Sequence, residues 1–399
     1  MSAVPEAAGE DAREAAAFLA RNAVDCLPEG ELARKLDLGR PLRVKFGVDP
    51  TAPDIHLGHT VILQKLREFQ DLGHTAVLII GDYTARVGDP SGRSTLRPVL
   101  ESAEIDANAR TYQEQAMKVL SAERLEVRFN GEWLDMPMES LFGLVRTTTV
   151  GQLLERDDFA KRYGAHEPIS VLELLYPLLQ GYDSVAVQAD VELGGTEQKF
   201  NLLLARTIQR AYGQPEQVIL TLPLLTGTDG DRKMSKSYDN HVGISDAPEE
   251  MYGRILSIPD ASLAGWYDLL LSEAPDPSLG PRDAKRALAR ALVARFHDEA
   301  AAAAAEERFD QVHVRRELPN DMAEVTFAAG PDGTVHLPAL LAAAFGVSTS
   351  EARRSLDQGA VRIDGEPVAA GTLDVQAATL DGRVLQLGRR RFARIRIGS

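Results

Sequence analysis

The sequence predicts an α/β fold built on a parallel sheet, and three observations carry that expectation. A strand, a turn, a helix and a second strand follow one another between Leu42 and Ile80, which is the repeating unit of such a sheet. Strand-like runs return at Ser184 to Ala189 and at Val218 to Leu225, the second entering a glycine-rich turn. Between Ile80 and Ser184 a charged, helix-patterned stretch from about residue 130 to 169 interrupts the sheet as an insertion.

Taken in order, residues 1–40 form an Ala-rich helical leader. Leu42 to Val48 reads as a strand and runs into the turn residues Asp49-Pro50-Thr51-Ala52-Pro53-Asp54. A helix follows: Ile62, Leu66, Phe69 and Leu72 form an apolar stripe, and Gly73 is placed to end it in a left-handed cap. Ala76 to Ile80 is the next strand. In a Rossmann-like sheet of this kind ligands bind at the carboxyl ends of the strands, so the chemistry should lie in the turns that follow. Within the insertion Thr147 to Leu154 is the least charged part. After Gly227-Thr228-Asp229-Gly230, the loop around Pro275, Pro277, Gly280 and Pro281 precedes helical stretches from Ala284 to His297 and on to Phe309. A new unit opens near Gly330-Pro331-Asp332-Gly333. The expected division is therefore a leader (1–40), a Rossmann-like domain (41–245), a helical domain (246–329) and a small α/β module (330–399).

With 399 residues of which 44% are hydrophobic, the chain can bury more than one core. Its single cysteine, Cys26, excludes an internal disulfide and a four-thiolate metal site, which suits a reducing cytoplasm. Glu6, Glu10, Asp11 and Glu14 near the N-terminus are foreign to a targeting peptide, and no apolar run reaches membrane-span length. A net charge of −15 excludes a protein that coats nucleic acid indiscriminately, so any RNA contact must be local. Arg383, Arg389, Arg390, Arg391, Arg394 and Arg396 crowd the end of the chain, with no acid after Asp381.

Two short elements carry the chemistry. His56-Leu57-Gly58-His59 opens a helix, placing two imidazoles near exposed backbone N–H groups, with Gly58 leaving room for a nucleotide. By themselves two such histidines also suit a metal pair or plain surface groups. Lys233-Met234-Ser235-Lys236-Ser237 puts two ammonium groups on a turn, where they can meet charge building on a departing pyrophosphate; a lone lysine-rich loop is otherwise a solvated one. Tyr176, Gln180 and Asp183 share a helix face, which any amphipathic helix would also produce.

Together these elements resemble the paired signatures of class I aminoacyl-tRNA synthetases, and Tyr176-Pro177-Leu178-Leu179-Gln180-Gly181-Tyr182-Asp183 resembles the tyrosine pocket of the bacterial tyrosyl enzymes. The resemblance implies that ATP, with Mg²⁺, and tyrosine form an adenylate whose tyrosine passes to tRNA(Tyr), with no metal held by a dedicated protein cage. It implies that Asp183 accepts a hydrogen bond from the phenol, that Tyr176, Gln180 and Asp89 face the ammonium group, and that Thr84 and Gln198 line the pocket. It further implies that Thr51, Arg93, Arg97, Lys233, Lys236 and Ser237 act with His56 and His59 around the phosphates, and that Gly58, Gly195, Glu197 and Lys236 bind the nucleotide. Two positions depart from the pattern: Glu197 stands where aspartate is common, and Lys45 stands where many relatives have a tyrosine that shares the phenol contact. The ammonium of Lys45 has Asp183 or another carboxylate as candidate partner.

From Val335 to Ile397 the chain resembles a small RNA-binding module shared with a ribosomal protein and pseudouridine synthases, through Ser350 to Arg354 and Gln358 to Glu366. Resemblance to this module implies tRNA contacts by Arg353, Arg354, Arg389, Arg390 and Arg391, the alternative being a charged helix and hairpin with no ligand; the synthetase resemblance implies a tRNA-binding role for the helical domain and a cytoplasmic homodimer formed around Thr147 to Leu154. The competing readings are a tryptophanyl relative, an RNA-binding protein that has kept the fold without activity, and a nucleotidyltransferase for another small molecule.

Overall fold

A computed structural model describes residues 9–50, 54–90, 102–314, 322–369, 371–388 and 391–398. The chain forms two compact units, Met1–Glu299 and Ala300–Ser399. The first is the expected α/β fold. Its strands are β1 (Asp25–Leu27), β2 (Arg43–Val48), β3 (Thr75–Ile80), β4 (Leu125–Phe129), β5 (Val191–Gly195) and β6 (Val218–Leu222), in the spatial order β1-β6-β5-β2-β3-β4. Only β1, at the edge, is antiparallel. The strand order reverses between β2 and β5, which leaves a crevice beyond their carboxyl ends.

Burial explains why these segments are strands. β5 and β6 are buried along their whole length, and β3 along all but its first residue, as parallel strands covered on both faces must be. The helix Leu57–Asp71 packs Leu57, Val61, Leu66 and Phe69 into the core and stops at Gly73, whose φ of +88° fits a left-handed C-terminal cap.

Two sequence expectations need correction, and one strand was not anticipated. Ser184 to Ala189 is not a strand: Ser184 to Ala186 end the helix Val171–Ala186, and the strand begins only at Val191. A capping box starts that helix, with Ser170 Oγ accepting from Glu173 N–H and Ser170 N–H donating to Glu173, and the helix continues until Gln188 turns with φ +52°. Val185, Val187 and Ala189 recurring at every second position mimicked a strand. β1 lies inside the expected helical leader, between the helices Glu10–Leu19 and Glu31–Leu36. β4 escaped notice because its residues are only half-buried at the sheet edge.

Between β4 and β5 run the short helices Gly131–Leu134, Met138–Val145, Val150–Leu153 and Asp157–Gly164. After β6 the helices Pro248–Leu256, Leu263–Leu271 and Pro281–Phe296 bury Tyr252, Trp266 and Leu288 within the same unit.

The second unit contains β7 (Ala323–Ala328), β8 (Thr334–His336), β9 (Val361–Ile363), β10 (Glu366–Pro367), β11 (Asp374–Gln376), β12 (Val384–Leu387) and β13 (Arg391–Gly398). Five of them form the sheet β10-β9-β12-β13-β7, and β8 pairs with β11. Leu340 and Leu341 of the helix Leu337–Phe345 and Leu356 of the helix Thr349–Asp357 pack with Val361, Leu385 and Ile395 in its core.

Candidate active site

A cavity of about 760 Å³ opens beyond the carboxyl ends of β2, β3 and β5, where Asp49, Gly81 and Gly195 line it. His56, Gly58 and His59 also face it, and so do Lys233, Lys236 and Ser237 from the distant loop. Backbone pairing brings the two signatures together. Leu57 N–H donates to Val242 O at 2.9 Å and Ile244 N–H to Ile55 O at 3.1 Å, stitching the segment after the lysine loop to the start of the helix Leu57–Asp71. Lys236 Nζ then reaches Asp54 Oδ2 at 2.7 Å.

The two imidazoles stack with ring centroids 3.9 Å apart, and His56 N–H donates to His59 Nδ1 at 3.3 Å. That bond leaves the His59 proton on Nε2. Burial first, and then Lys236, pull His59 down to about 4; burial, with His59, His241 and Lys236 adding to it, holds His56 well below the ordinary histidine range. Both rings are therefore neutral N–H donors at pH 7. A Cβ at Gly58 would press on the His56 ring at 3.0 Å, so any side chain there requires the ring to shift.

The lysine loop is shaped by Asn240, which the sequence did not single out. Its Oδ1 accepts from Ser235 N–H at 2.8 Å, while its Nδ2 donates to Asp229 at 2.9 Å and to Lys233 O at 3.2 Å. Gly227 lies against the Asn240 amide, where any Cβ would collide.

At the opposite end the cavity floor is polar and deep. Asp183 is only 3% exposed, with Trp133 Nε1–H donating to Oδ1 at 2.8 Å and Asn130 Nδ2–H to Oδ2 at 3.4 Å. Burial pushes this carboxyl up to about 7, against the opposing pull of Lys45, Trp133 and Asn130. Thr84 donates to Asp49 Oδ1 at 2.7 Å and Tyr176 to Asp49 Oδ2 at 2.9 Å; a Cβ at Gly81 would overlap Asp49 and Thr84. Gln198 Nε2–H donates to Asp89 at 3.0 Å, and Asn201 links Gln180 at 2.8 Å to Gln198 at 3.2 Å.

Gly195 and Glu197 lie between the two ends. Burial raises the Glu197 carboxyl, opposed by Lys233, and a Cβ at Gly195 would collide with it. Fourteen predicted residues thus share one cavity: His56, Gly58, His59, Thr84, Asp89, Tyr176, Gln180, Asp183, Gly195, Glu197, Gln198, Lys233, Lys236 and Ser237. Thr51, Arg93 and Arg97 lie outside the described residues, as do Arg389 and Arg390. Arg353 and Arg354 are exposed on the helix Thr349–Asp357, and Arg391 is exposed at the start of β13. Asn130 and Trp133 were missed because an Asn or Trp in a charged helical stretch carries no signal until the fold turns it toward Asp183.

A family model described as tRNA synthetases class I (W and Y) matches residues 8–314. A tyrosine–tRNA ligase of Moorella thermoacetica is 50% identical, covering 95% of this chain and 94% of its own. One from Thermotoga maritima is 49% identical, covering 95% and 96%. The crystal structure of a tyrosyl-tRNA synthetase from Archaeoglobus fulgidus, solved with L-tyrosine, shares the fold with a TM-score of 0.59 at 23% identity, over 73% of this chain and 99% of that one.

Proposed function

The chain belongs to the class I tRNA synthetase family (W and Y), and on that premise we propose that it is a tyrosine–tRNA ligase. It joins tyrosine to ATP as tyrosyl-adenylate, releasing pyrophosphate, and passes the tyrosine to the 3′ end of its tRNA. The observation that carries the choice of amino acid is Asp183, a buried carboxylate on the floor of the cavity that also holds both nucleotide signatures.

Placement in the cavity supports the roles assigned to the residues that line it. Asp183 accepts the phenol hydroxyl, with Trp133 and Asn130 holding its oxygens in place. Tyr176, Gln180, Asp89, Gln198 and Thr84 surround the rest of the amino acid and its ammonium group. The tyrosine carboxylate attacks the α-phosphate: a carboxylate O–P bond forms while the P–O bond to pyrophosphate breaks. His56 and His59 donate neutral N–H groups to ATP, Gly58, Gly195 and Glu197 flank the nucleotide, and Lys233, Lys236 and Ser237 take the charge that grows on pyrophosphate. Thr51, Arg93 and Arg97 are assigned to the phosphates as well. Mg²⁺ would arrive with ATP as part of the substrate and would offset charge on its phosphates. In the second step a ribose hydroxyl of the tRNA attacks the tyrosyl carbonyl and AMP leaves.

The division expected from sequence is kept as part of this reading, with residues 246–329 and 330–399 serving tRNA. For assembly, Met138, Phe142, Val145, Val150, Tyr163, Val171 and Leu172 leave an apolar surface around the short helices after β4, with Phe142 60% and Val171 75% exposed. Such a surface fits a homodimer interface. No helix among the described residues is long and apolar enough to cross a membrane, and the reading places the enzyme in the cytoplasm.

Pyrophosphate exchange into ATP, run with each amino acid in turn, tests chemistry and specificity together. Tyrosine should support exchange, with phenylalanine and tryptophan weaker by at least about 10³-fold. Equal exchange with tryptophan would overturn the assignment.

Contact with tRNA has its own test. Arg353→Ala/Arg354→Ala should leave exchange untouched and weaken tRNA binding. Each lost phosphate contact should lower the slope of log affinity against log salt by about 0.7–0.9. An unchanged slope would remove these two arginines from the interface.

A further inference from the structure

Lys45 and Glu192 are paired directly across β2 and β5, the two strands between which the sheet order reverses. Their charged ends meet at 2.8 Å and are almost wholly shut off from water, with side chains 0% and 2% exposed. Lys45 Nζ also donates to Ser184 Oγ at 2.8 Å and to the Gln180 carbonyl at 3.0 Å, so its three protons have three acceptors. Glu192 in turn accepts from Ser184 Oγ at 3.2 Å and from Gln217 Nε2. A buried ion pair gives little net stability over an apolar pair of the same size, because desolvation offsets the attraction. This one is placed under the segment of the helix Val171–Ala186 that carries Gln180 and Asp183, and Glu192 itself reaches the cavity wall.

We propose that the Lys45–Glu192 pair is the electrostatic floor of the tyrosine subsite. Lys45 is the positioning and specificity-determining residue: it pins the helix at Gln180 and Ser184 and keeps Asp183 an acceptor for the phenol. The inference rests on the reading of Asp183 given above. Lys45 acts on Asp183 through space, because its ammonium is committed to Glu192, Ser184 and Gln180. The charged groups that act on Asp183 are Lys45 from β2, which favours its ionised form, and Glu192 from β5, which opposes it more weakly; Trp133 and Asn130 are neutral donors. Asp49 is engaged by Thr84 and Tyr176. A protonated Asp183 would carry its own O–H and lose charge-assisted acceptance of the phenol, so discrimination depends on which way the floor biases the proton.

The test measures tyrosine-dependent and phenylalanine-dependent pyrophosphate exchange from pH 5.5 to 9. It compares the full-length wild type with Lys45→Met/Glu192→Gln, a neutral pair of similar bulk, and with Glu192→Gln alone. In the double variant the acid limb of kcat/KM for tyrosine should move up by about half a unit or more. The tyrosine-over-phenylalanine ratio at pH 7 should fall several-fold, mainly through KM, and recover toward pH 9 as Asp183 ionises. In Glu192→Gln the limb should move the other way, which keeps the proposal testable should the double variant fail to fold. An unshifted limb in both variants, or a loss equal at every pH, would overturn it by reducing the pair to scaffolding. Absence of tyrosine-dependent exchange in the wild type would instead overturn the functional reading on which the proposal rests.

Discussion

Asp183→Ala should lower kcat/KM for tyrosine by roughly 10²-fold or more and bring phenylalanine close to parity. Removing the carboxylate leaves the substrate hydroxyl buried without its charged acceptor and orphans the Trp133 indole N–H besides, while Asn130 keeps its bond to Thr84 Oγ1. A site built to bond a hydroxyl rejects the analogue that lacks it by about 10⁴–10⁵; tyrosyl enzymes are the established instance of this effect, so the scale belongs to the family and is not calculated from this cavity. Asp183→Asn should fall between, since it keeps an acceptor but no charge. The measurement is kcat/KM for both amino acids in exchange, and an unchanged preference in Asp183→Ala would mean that another group reads the phenol.

The second large effect is expected at the lysine loop. Lys233→Ala and Lys236→Ala should each slow adenylate formation by roughly 10²–10³-fold, the usual cost of removing one preorganised group that stabilises transition-state charge. Tyrosine affinity should stay within about twofold, because the loop lies at the other end of the cavity from Asp183. Lys236 is held by a partly exposed ion pair with Asp54, so its loss should cost under about 1 kcal/mol of stability and leave the thermal midpoint near that of the wild type. Single-turnover rates at wild-type level would remove these lysines from the leaving-group role.

The fold class and the two nucleotide signatures were readable from sequence because their signals are local. A glycine between histidines at a helix start, or two lysines in a turn after a strand, carries its meaning within a few residues. What was not readable depends on register. Lys45 had Asp183 or another carboxylate as candidate partner, and the partner is Glu192 because β2 pairs with β5 in one register out of several that the strand sequences alone allow. The supports around Asp183 and the lysine loop were invisible for a similar reason: Asn130, Trp133 and Asn240 look like ordinary polar and aromatic residues until tertiary structure aims them. Ser184 to Ala189 misled in the opposite sense, since a helix end and a short strand share the same alternation over five or six residues.

The contact between Asp54 and Lys236 joins residues 182 positions apart, and the backbone pairing of residues 55 to 57 with 242 to 244 has a similar span. Closing a loop of that length costs on the order of 4–5 kcal/mol in chain entropy before the contacts it permits can repay it. The two halves of the nucleotide site therefore meet only once long-range topology is set, as do β1 and β6 at a similar separation, and a species with local structure alone lacks the site. On refolding, catalytic competence should trail helix and sheet signals, so recovered activity reports completed topology rather than mere compactness.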